Sequence, residues 1–512
     1  MASRFSVSTG ILLTSLMASA AAVAQKADAP APDEPRLRLK EAIVLLDYQV
    51  VRVAGDQSID LMGFHVSNKV AEGLYVGAGL FAPLVKGVYG GFTAYDINAH
   101  FQRPLTHQFF AMAGLSLGGG AGGRSVENAK TLAGSGSFYR AYAGLGYDLG
   151  SYSLGLNVSK MKFANSALGG SQASVFLQVP FNYLTGPFGS HAQRLSPDEA
   201  SQVAAGSTER MLTVTLDNFR QLKPQGTYKG SFETVDLQYA QYFSRNSYWY
   251  AALGIGYHGL PLYNQVLGGV GHRIQLSPRI TLYGQLGIGS GGYAPERINT
   301  DAGLLLYPKI AAEYALTKDL GLAMSAGYLA APKGTSKNLS LGLALTRHFG
   351  VGDAPAGAGA ADGPAFQAFR VGLFQQSESS VRFAGINRSS LKLVGIQVEA
   401  IINERWYIPL QGSAAYNTYL GYPGYGEVLA GLGVQSLARS GERVQAFGEL
   451  MAGTNVHGVA VKAAAGLRYG LSDGAALRVT AGHIEARSAA GNRFTANSLS
   501  LGFDYLFSLP TR

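Results

Sequence analysis

Few side chains in this sequence have the types and spacing of a catalytic site, and the clearest set lies in the first quarter of the chain. His65 and Ser67 stand two positions apart, and Asn68 follows them. A histidine beside a serine can activate the hydroxyl for acyl transfer, provided that a third group orients the imidazole. No acid can be placed beside the pair from the sequence. We therefore interpret these residues as ordinary members of a strand and assign no catalytic residue.

The order His65-x-Ser67-Asn68 also resembles part of the motif of outer-membrane lipid A deacylases. In that family the histidine and the serine belong to a catalytic triad on the outer wall of a barrel, so the resemblance implies a lipid-modifying enzyme. Phe64 stands where the family has an arginine, and the segment lies on an early strand rather than late in a barrel. The sequence therefore favours a non-enzymatic function, and lipid modification is the alternative.

Two further features, a glycine-rich segment and the histidines, could suggest a phosphate-binding loop or a metal site, but neither has the residues that such a site requires. Residues 118–125 (GGGAGGRS) are rich in glycine, but they lack the Gly-Lys-Ser/Thr ending and the following helix of a phosphate-binding loop. They predict a flexible loop between strands. The nine histidines are dispersed, with no carboxylate at ligand spacing, and the chain has no cysteine. The sequence thus predicts no metal site, no cofactor and no disulfide.

The amino terminus has the pattern of a secretory signal peptide. Arg4 gives it a positive charge, residues 11–21 form a short apolar run, and Ala22 and Ala24 are the small residues of a cleavage site before Gln25. The apolar run is too short to cross a membrane as a helix. We expect an exported protein.

The composition is that of a membrane protein built from strands. Hydrophobic residues make up 47% of the chain and charged residues 14%, well below the roughly 25% of soluble domains. After the signal, no 18 consecutive residues are apolar, so the apolar side chains must alternate with polar ones, one face toward lipid and one toward a lumen. The net charge of +9 is scattered, which argues against nucleic acid and predicts cations inside barrels and at lipid phosphates.

Alternation is visible in individual segments. In residues 249–257 the odd positions are apolar and begin and end with Trp249 and Tyr257, whereas the even positions are mostly small. Residues 458–471 place valine, alanine and leucine on one face, and Lys462 and Arg468 on the other. Segments of about 9–13 residues are long enough for tilted strands to cross a bilayer.

The chain also repeats itself. Residues 339–342 (LSLG) return at 499–502, and residues 51–55 (VRVAG) return in similar form at 381–385 (VRFAG). A period of roughly 150 residues is far longer than that of solenoids and propellers, so the repeated unit is a whole sheet system. The predicted segments are a signal peptide (1–24), a disordered leader (25–35), barrel units (36–184, 210–349 and 368–507), linkers (185–209 and 350–367) and a tail (508–512).

Each unit is predicted to contain eight strands joined by short turns. In the first linker, Ser196 and Pro197 have the types of an N-cap and a first helical residue, which predicts a short helix. The strands expected in the second unit are 211–220, 232–243, 248–259, 264–276, 280–292, 300–316, 320–331 and 338–349.

The last strand contains Ser500-x-Gly502-x-x-Tyr505-x-Phe507. This pattern resembles the terminal strand signal of Gram-negative outer-membrane β-barrel proteins. The resemblance implies insertion by the barrel-assembly machinery, residence in the outer membrane, and contact with its lipids and lipopolysaccharide. Many members stop at the final aromatic residue, whereas five residues follow it here.

The predicted fold is all-β, with three homologous antiparallel barrels of about eight strands in tandem; the alternative is one barrel of about 24 strands. Long linkers and interiors rich in glycine and alanine favour three small barrels. We expect a non-enzymatic protein with a structural, adhesive or scaffolding role. The alternative is a single large channel for a solute or polymer. The sequence identifies neither a cargo nor a protein partner.

Overall fold

The alternation of apolar and polar residues folds as the sequence predicts, into long amphipathic strands. In the strand Gly458–Ser472, Val459 and Val461 point outward and are about half exposed, whereas Lys462 and Arg468 point inward and are buried. The computed structural model describes residues 36–53, 57–121, 136–164, 166–206, 209–222, 224, 228–260, 263–292, 298–317, 319–349, 365–417, 425–437, 443–488 and 490–510.

Barrel 1 is a closed ring of eight antiparallel strands in chain order. The first and last strands pair from Arg38↔Thr185 to Gln49↔Ser174. The strands are β1 (Arg38–Arg52), β2 (Ser58–Ala71), β3 (Leu74–Ala82), β4 (Thr93–Pro104), β5 (Phe109–Ala121), β6 (Ser137–Asp148), β7 (Ser153–Phe163) and β8 (Gly169–Thr185).

Barrel 2 is a second closed ring of eight strands. Its closing pairs run from Asn338↔Gln221 to Phe349↔Arg210. The strands are β9 (Arg210–Gln221), β10 (Ser231–Tyr242), β11 (Ser247–His258), β12 (Asn264–Ser277), β13 (Ile280–Gly292), β14 (Leu304–Ala315), β15 (Leu320–Ala330) and β16 (Lys337–Phe349).

Barrel 3 has eight long strands and one very short one, which pairs only with the end of the first. Its first and last strands close the ring from Phe366↔Pro510 to Phe383↔Phe494. The strands are β17 (Phe366–Phe383), β18 (Ile386–Asn387), β19 (Leu391–Ile401), β20 (Trp406–Ala415), β21 (Gly426–Gln435), β22 (Val444–Asn455), β23 (Gly458–Ser472), β24 (Ala475–Arg487) and β25 (Arg493–Pro510).

The prediction of three separate barrels is therefore confirmed, and the alternative of one 24-stranded ring is wrong. In a single ring, β8 would pair with β9 and β16 with β17. Instead, the first strand of each barrel pairs with the last strand of the same barrel. Strand order explains why: an even number of antiparallel strands returns the chain to its starting side, so each unit closes on itself.

Some predicted boundaries differ from the structure. Residues 300–303 were assigned to β14 but form a turn in which Asp301 has φ of 53° and Gly303 has φ of 113°. Residues 118–121, predicted as a loop, continue β5 because they pair with β4. β25 extends to Pro510, beyond the predicted end at 507, because its last residues pair with β17, from Ala368↔Ser508 to Phe366↔Pro510.

The outer wall carries large apolar side chains on all three barrels. Leu156 and Val158 of barrel 1, Leu341 and Met324 of barrel 2, and Leu499 of barrel 3 are each about half exposed or more. A closed ring pairs the backbone of its strands internally, and an apolar outer wall matches acyl chains, so these barrels are suited to lipid. Among the described residues, no helix is long and apolar enough to span a bilayer.

We define two sides of the molecule by the chain. The terminal side contains the start of the first strand and the end of the last strand of each barrel, and the loop side is opposite. Turns on the terminal side are short, as in Leu276–Ile280, whereas the connection between β3 and β4 on the loop side spans residues 83–92. Short turns are typical of the periplasmic side of outer-membrane barrels.

The first linker is ordered on the terminal side. A 3-10 helix (Phe188–Ser190) precedes an α-helix, α1 (Pro197–Gly206). Ser196 Oγ accepts a hydrogen bond from Glu199 N at 3.2 Å, and Glu199 Oε2 accepts one from Ser196 N at 2.8 Å. These two bonds form the capping box, so the predicted helix start at Ser196 is confirmed.

The linker also ties barrel 1 to barrel 3. Gly186 and Ser508 exchange two backbone hydrogen bonds of 2.9 Å. Arg36, just before β1, contacts Glu199 of α1 at 2.5 Å, and a buried apolar cluster lies beside this pair. That cluster contains Leu37, Leu195, Val203 and Phe366.

Barrels 1 and 2 are joined on the loop side by backbone contacts. Gly90 N donates to Asp301 O at 2.9 Å, and Asn264 Nδ2 donates to Gly91 O at 3.0 Å. Glycine is required at Gly90, because a Cβ there would lie 2.2 Å from the Thr300 hydroxyl and 2.9 Å from the Asp301 carbonyl. Barrel 1 is thus joined to barrel 2 on the loop side and to barrel 3 on the terminal side.

Candidate functional site: the three lumens

The lumens are the places where transport or catalysis could occur, and each contains buried charges. Every barrel has an inward-facing aspartate directly opposite a glycine of the neighbouring strand: Asp47↔Gly63, Asp217↔Gly342 and Asp504↔Gly372. A Cβ on any of these glycines would lie 2.0–2.1 Å from the carboxylate oxygen. Because these glycines have no side chain, each aspartate carboxylate can lie against the backbone of the neighbouring strand.

In barrel 1 the charged layer centres on Asp47. Arg140 Nη2 donates to Asp47 Oδ2 at 2.5 Å, and both side chains are almost completely buried. His65 Nδ1 lies 3.7 Å from Asp47 Oδ1, and its Nε2 lies 3.1 Å from Asp96. The Arg140 guanidinium also lies over the Tyr142 ring, 4.6 Å from its centroid. These contacts compensate the buried charges.

Barrel 2 has two charged groups at different heights. Lys309 Nζ lies 3.3 Å from Asp217 Oδ2, and this pair is nearer the loop side than the second group is. Near the terminal side, His348 contacts Glu209 at 3.0 Å and Glu313 at 2.9 Å. Glu209 precedes β9, and so the end of the linker supplies an acid to the lumen.

Barrel 3 has the densest network. Glu399 contacts three arginines: Arg370 at 2.5 Å, Arg468 at 2.9 Å and Arg478 at 3.3 Å. Arg468 Nε is also 2.9 Å from Asp504 Oδ2. All five side chains are at most 3% exposed. Such a network stabilises only when every charge has a partner.

One feature recurs in all three lumens. The sixth long strand supplies the cation that contacts an aspartate: Arg140 on β6, Lys309 on β14 and Arg468 on β23. The partner lies on the first or the last strand of the same barrel. The three homologous units thus share not only their strands but also the position of a cation–aspartate pair in the lumen.

Apolar clusters close each lumen on the loop side. Barrel 1 is filled there by Phe81, Phe138 and Phe163, with the Phe138 and Phe163 rings stacked 4.8 Å apart. Barrel 2 is filled by Phe219, Phe232 and Tyr263, and barrel 3 by Tyr425, Phe494 and Met451. These clusters place apolar and aromatic side chains across the loop end of each lumen.

Side chains also pack across the terminal side of barrels 2 and 3. In barrel 2, Tyr242, Tyr248 and Tyr283 pack together. In barrel 3, Phe188 of the linker packs against the cluster that contains Tyr407. A charged layer therefore lies between two apolar or aromatic layers in each of these barrels.

Little space remains in the charged layers. The cavity in barrel 2 between Lys309 and Glu313 leaves about 30 Å³ for water, and the cavity in barrel 3 beside Lys462 and Arg478 leaves about 10 Å³. A single water needs roughly 10–15 Å³. The barrel 2 cavity therefore has room for about two or three waters and the barrel 3 cavity for about one.

The structure places the predicted pair His65 and Ser67 inside barrel 1. Both side chains are at most 2% exposed. Asp96 of β4 is the acid that the sequence could not place, but Ser67 Oγ donates to Asn98 Oδ1 at 2.8 Å. The deacylase site that the motif resembles lies on the outer wall, whereas here both residues face the lumen.

The predicted insertion signal lies in β25. Ser500 and Gly502 face the lumen, whereas Tyr505 and Phe507 face outward near the terminal side, with their rings 5.4 Å apart. Of the glycine-rich segment, residues 122–125 lie outside the described part of the chain, as do the predicted cleavage residues Ala22, Ala24 and Gln25. No group of three or more histidine, aspartate or glutamate side chains that could hold a metal occurs among the described residues.

Sequence reasoning missed the charged layers. Their partners are far apart in the chain: 93 positions separate Arg140 from Asp47, and 69 separate Arg468 from Glu399. A usable signal was present, however. Asp47, Asp217 and Asp504 each stand at an inward position of an alternating strand, and a strand that pairs with each has glycine opposite.

Comparison with known proteins gives no family. No protein-family model matches the chain, and no curated protein matches it. Solved structures that match include OccAB4 of Acinetobacter baumannii, with 9% identity, coverage of 93% of this chain and 100% of that chain, and a TM-score of 0.21. A mutant of the ferric enterobactin receptor PfeA of Pseudomonas aeruginosa has 10% identity, coverage of 91% of this chain and 81% of that chain, and a TM-score of 0.29. The NanC porin has 11% identity, coverage of 57% of this chain and 98% of that chain, and a TM-score of 0.17.

At such identities and TM-scores, these likenesses give no information on substrate or partner. The assignment depends instead on the closed barrels and their apolar outer wall. The chain is a β-barrel protein of the bacterial outer membrane.

Proposed function

We propose that this protein is a non-conducting structural component of the outer membrane, a rigid three-barrel platform that scaffolds or adheres rather than transports. The observation that carries the proposal is the apolar cluster on the loop side of each lumen. A barrel of eight strands has an interior just wide enough for side chains to fill. Here the side chains fill it.

The contacts between barrels support the same proposal. A transporter of three independent channels would need no fixed geometry between them. Here the Gly90–Asp301 backbone hydrogen bond joins barrels 1 and 2 on the loop side, and two backbone hydrogen bonds between Gly186 and Ser508 join barrels 1 and 3 on the terminal side. Rigid mutual placement is what a platform requires.

Planar-bilayer recording of the purified full-length protein tests the proposal. We expect no steady current steps, with a porin as the positive control in the same lipid. The matched variant replaces Phe138 and Phe163, the stacked pair that fills barrel 1, with alanine. If the wild-type protein shows nanosiemens-scale steps, the proposal is wrong.

The enzymatic alternative has its own test. Replacing His65 and Ser67 with alanine and measuring acyl release from lipid A compares the two functions directly. We expect neither the wild-type protein nor the variant to release acyl chains. Release by the wild type that disappears in the variant would establish the enzyme instead.

A further inference from the structure

Two arginines lie together on the outer wall of barrel 2 where its ring closes. Arg210 begins β9, and Arg347 lies two residues before the end of β16. Arg210 pairs with Phe349 and Arg347 pairs with Leu212, so the arginines are diagonal neighbours on one face. Diagonal neighbours on adjacent strands are roughly 7–8 Å apart. Both side chains are partly buried.

Both arginines face the neighbouring barrels rather than open lipid alone. Arg210 Nη2 donates to Asn182 O of barrel 1 at 3.3 Å, and Arg347 Nη2 donates to Gln367 Oε1 of barrel 3 at 3.2 Å. The Arg347 guanidinium also lies over the Phe349 ring, 5.3 Å from its centroid. The pair therefore marks the junction of the three barrels on the terminal side.

Neither arginine forms an ion pair with a carboxylate in the part of the chain that the structure describes, although the Asp319 carboxylate attracts the Arg347 charge from beyond ion-pair distance. Two like charges on adjacent strands, both partly buried, destabilise the fold unless an anion compensates them.

An apolar surface continues from the arginines toward the middle of the membrane. Leu345 pairs with Val214, and Leu343 pairs with Leu216. All four side chains are 42–50% exposed and point outward. Cations at the end of an apolar strip match the two parts of a phospholipid, since the phosphate meets guanidinium groups and the acyl chains meet the leucines.

We propose that Arg210 and Arg347 form a binding site for an anionic glycerophospholipid of the periplasmic leaflet. The lipid phosphodiester lies between the two guanidinium groups, and an acyl chain lies along Leu345 and Leu343. The bound lipid adds negative charge beside Arg210 and Arg347 at the junction of the barrels. The site is outside the lumens, so it does not depend on whether they conduct.

Native mass spectrometry of the delipidated full-length protein, titrated with phosphatidylglycerol, tests the site. We expect Arg210→Gln/Arg347→Gln to bind the lipid about tenfold more weakly or worse, since charge-assisted hydrogen bonds are lost. The control is Arg405→Gln/Arg443→Gln, which removes the same charge from exposed positions on the terminal side and should bind like the wild type. Heat-modifiable gel mobility confirms that each variant is folded.

Three results would overturn the proposal. One is equal binding by the Arg210→Gln/Arg347→Gln variant and the wild type. Another is equal binding of phosphatidylcholine, which has no net charge. The third is displacement of phosphatidylglycerol by millimolar inorganic phosphate, which would identify a site for free phosphate. Should the double glutamine variant fail to fold, Arg347→Gln alone is measured, and unchanged affinity there overturns the proposal equally.

Discussion

Buried charge in these barrels depends on glycine at single positions. Asp504 occupies space above Gly372 on the adjacent strand, and the same arrangement recurs for Asp47 and Asp217. A carboxylate can lie close against the backbone only where the opposite residue has no side chain. The same carboxylate then reaches the arginines that neutralise it, as Asp504 reaches Arg468.

Adding one methyl group at Gly372 should therefore destabilise barrel 3. The new Cβ would lie 2.1 Å from Asp504 Oδ1, and the carboxylate would have to leave its arginines. We expect Gly372→Ala to lower the free energy of unfolding by about 1–3 kcal/mol. Gly412→Ala is the control, because nothing lies within 4 Å of a Cβ built there. Urea titration in phospholipid vesicles measures both; equal losses would contradict the account.

Removing the central cation of barrel 3 should cost more. Arg468→Met leaves Glu399 and Asp504 with one fewer partner each while both stay buried. Breaking a buried ion pair from one side costs about 3–5 kcal/mol. Arg443→Met, at an exposed position, should change stability by less than about 0.5 kcal/mol. If the two variants unfold at the same urea concentration, the network does not stabilise the barrel.

At the scale of elements, strands were predictable and their ends were not. The alternation of apolar and polar residues located the strands of barrel 2 within a few residues, because every second side chain of a strand points toward lipid. β14 begins later than predicted because the turn at 300–303 depends on contacts with barrel 1, which alternation does not report. Helix α1 was predictable because its cap is local: Ser196 and Glu199 satisfy each other.

Helix α1 should detach from barrel 1 in acid. The hydrogen bond from Arg36 holds the pKa of the Glu199 carboxyl below its ordinary value of 4.5. Because the pKa is lowered in the folded protein, the ion pair contributes fully above pH 4.5, and its contribution is lost as pH falls through the folded value.

Hydrogen exchange of residues 197–206 measures this detachment. Near pH 6, exchange in the wild type should be slower than in Glu199→Gln. Once the pH lies below the folded pKa of Glu199, the two rates should become equal, because protonation and substitution both remove the charge. Exchange in the wild type that stays slower than in Glu199→Gln at the lower pH would show that the ion pair does not hold the helix.

At the scale of the molecule, the sequence showed that three units exist, and the structure shows how they are arranged. Repeated segments such as 339–342 and 499–502 lie in β16 and β25, the last strands of barrels 2 and 3. Copies of one unit follow from sequence similarity. The contacts between barrels could not be predicted, because they join residues as distant as Lys333 and Val85, 248 positions apart.

Disulfide cross-linking across the closing seams tests most directly whether there are three rings. The chain has no cysteine, so engineered pairs report without background. Leu216 faces Leu343 across the seam of barrel 2, and Leu46 faces Leu177 across that of barrel 1. Opposite residues of antiparallel strands lie about 4.5–5.5 Å apart, which suits a disulfide.

Oxidation of Leu216→Cys/Leu343→Cys and of Leu46→Cys/Leu177→Cys in the folded protein should give nearly complete intramolecular disulfides, seen as a shift in gel mobility. Leu177→Cys/Leu216→Cys should give none, because β8 and β9 close different rings. Failure of the two seam pairs together with efficient cross-linking of positions 177 and 216 would mean that the strands form one large barrel.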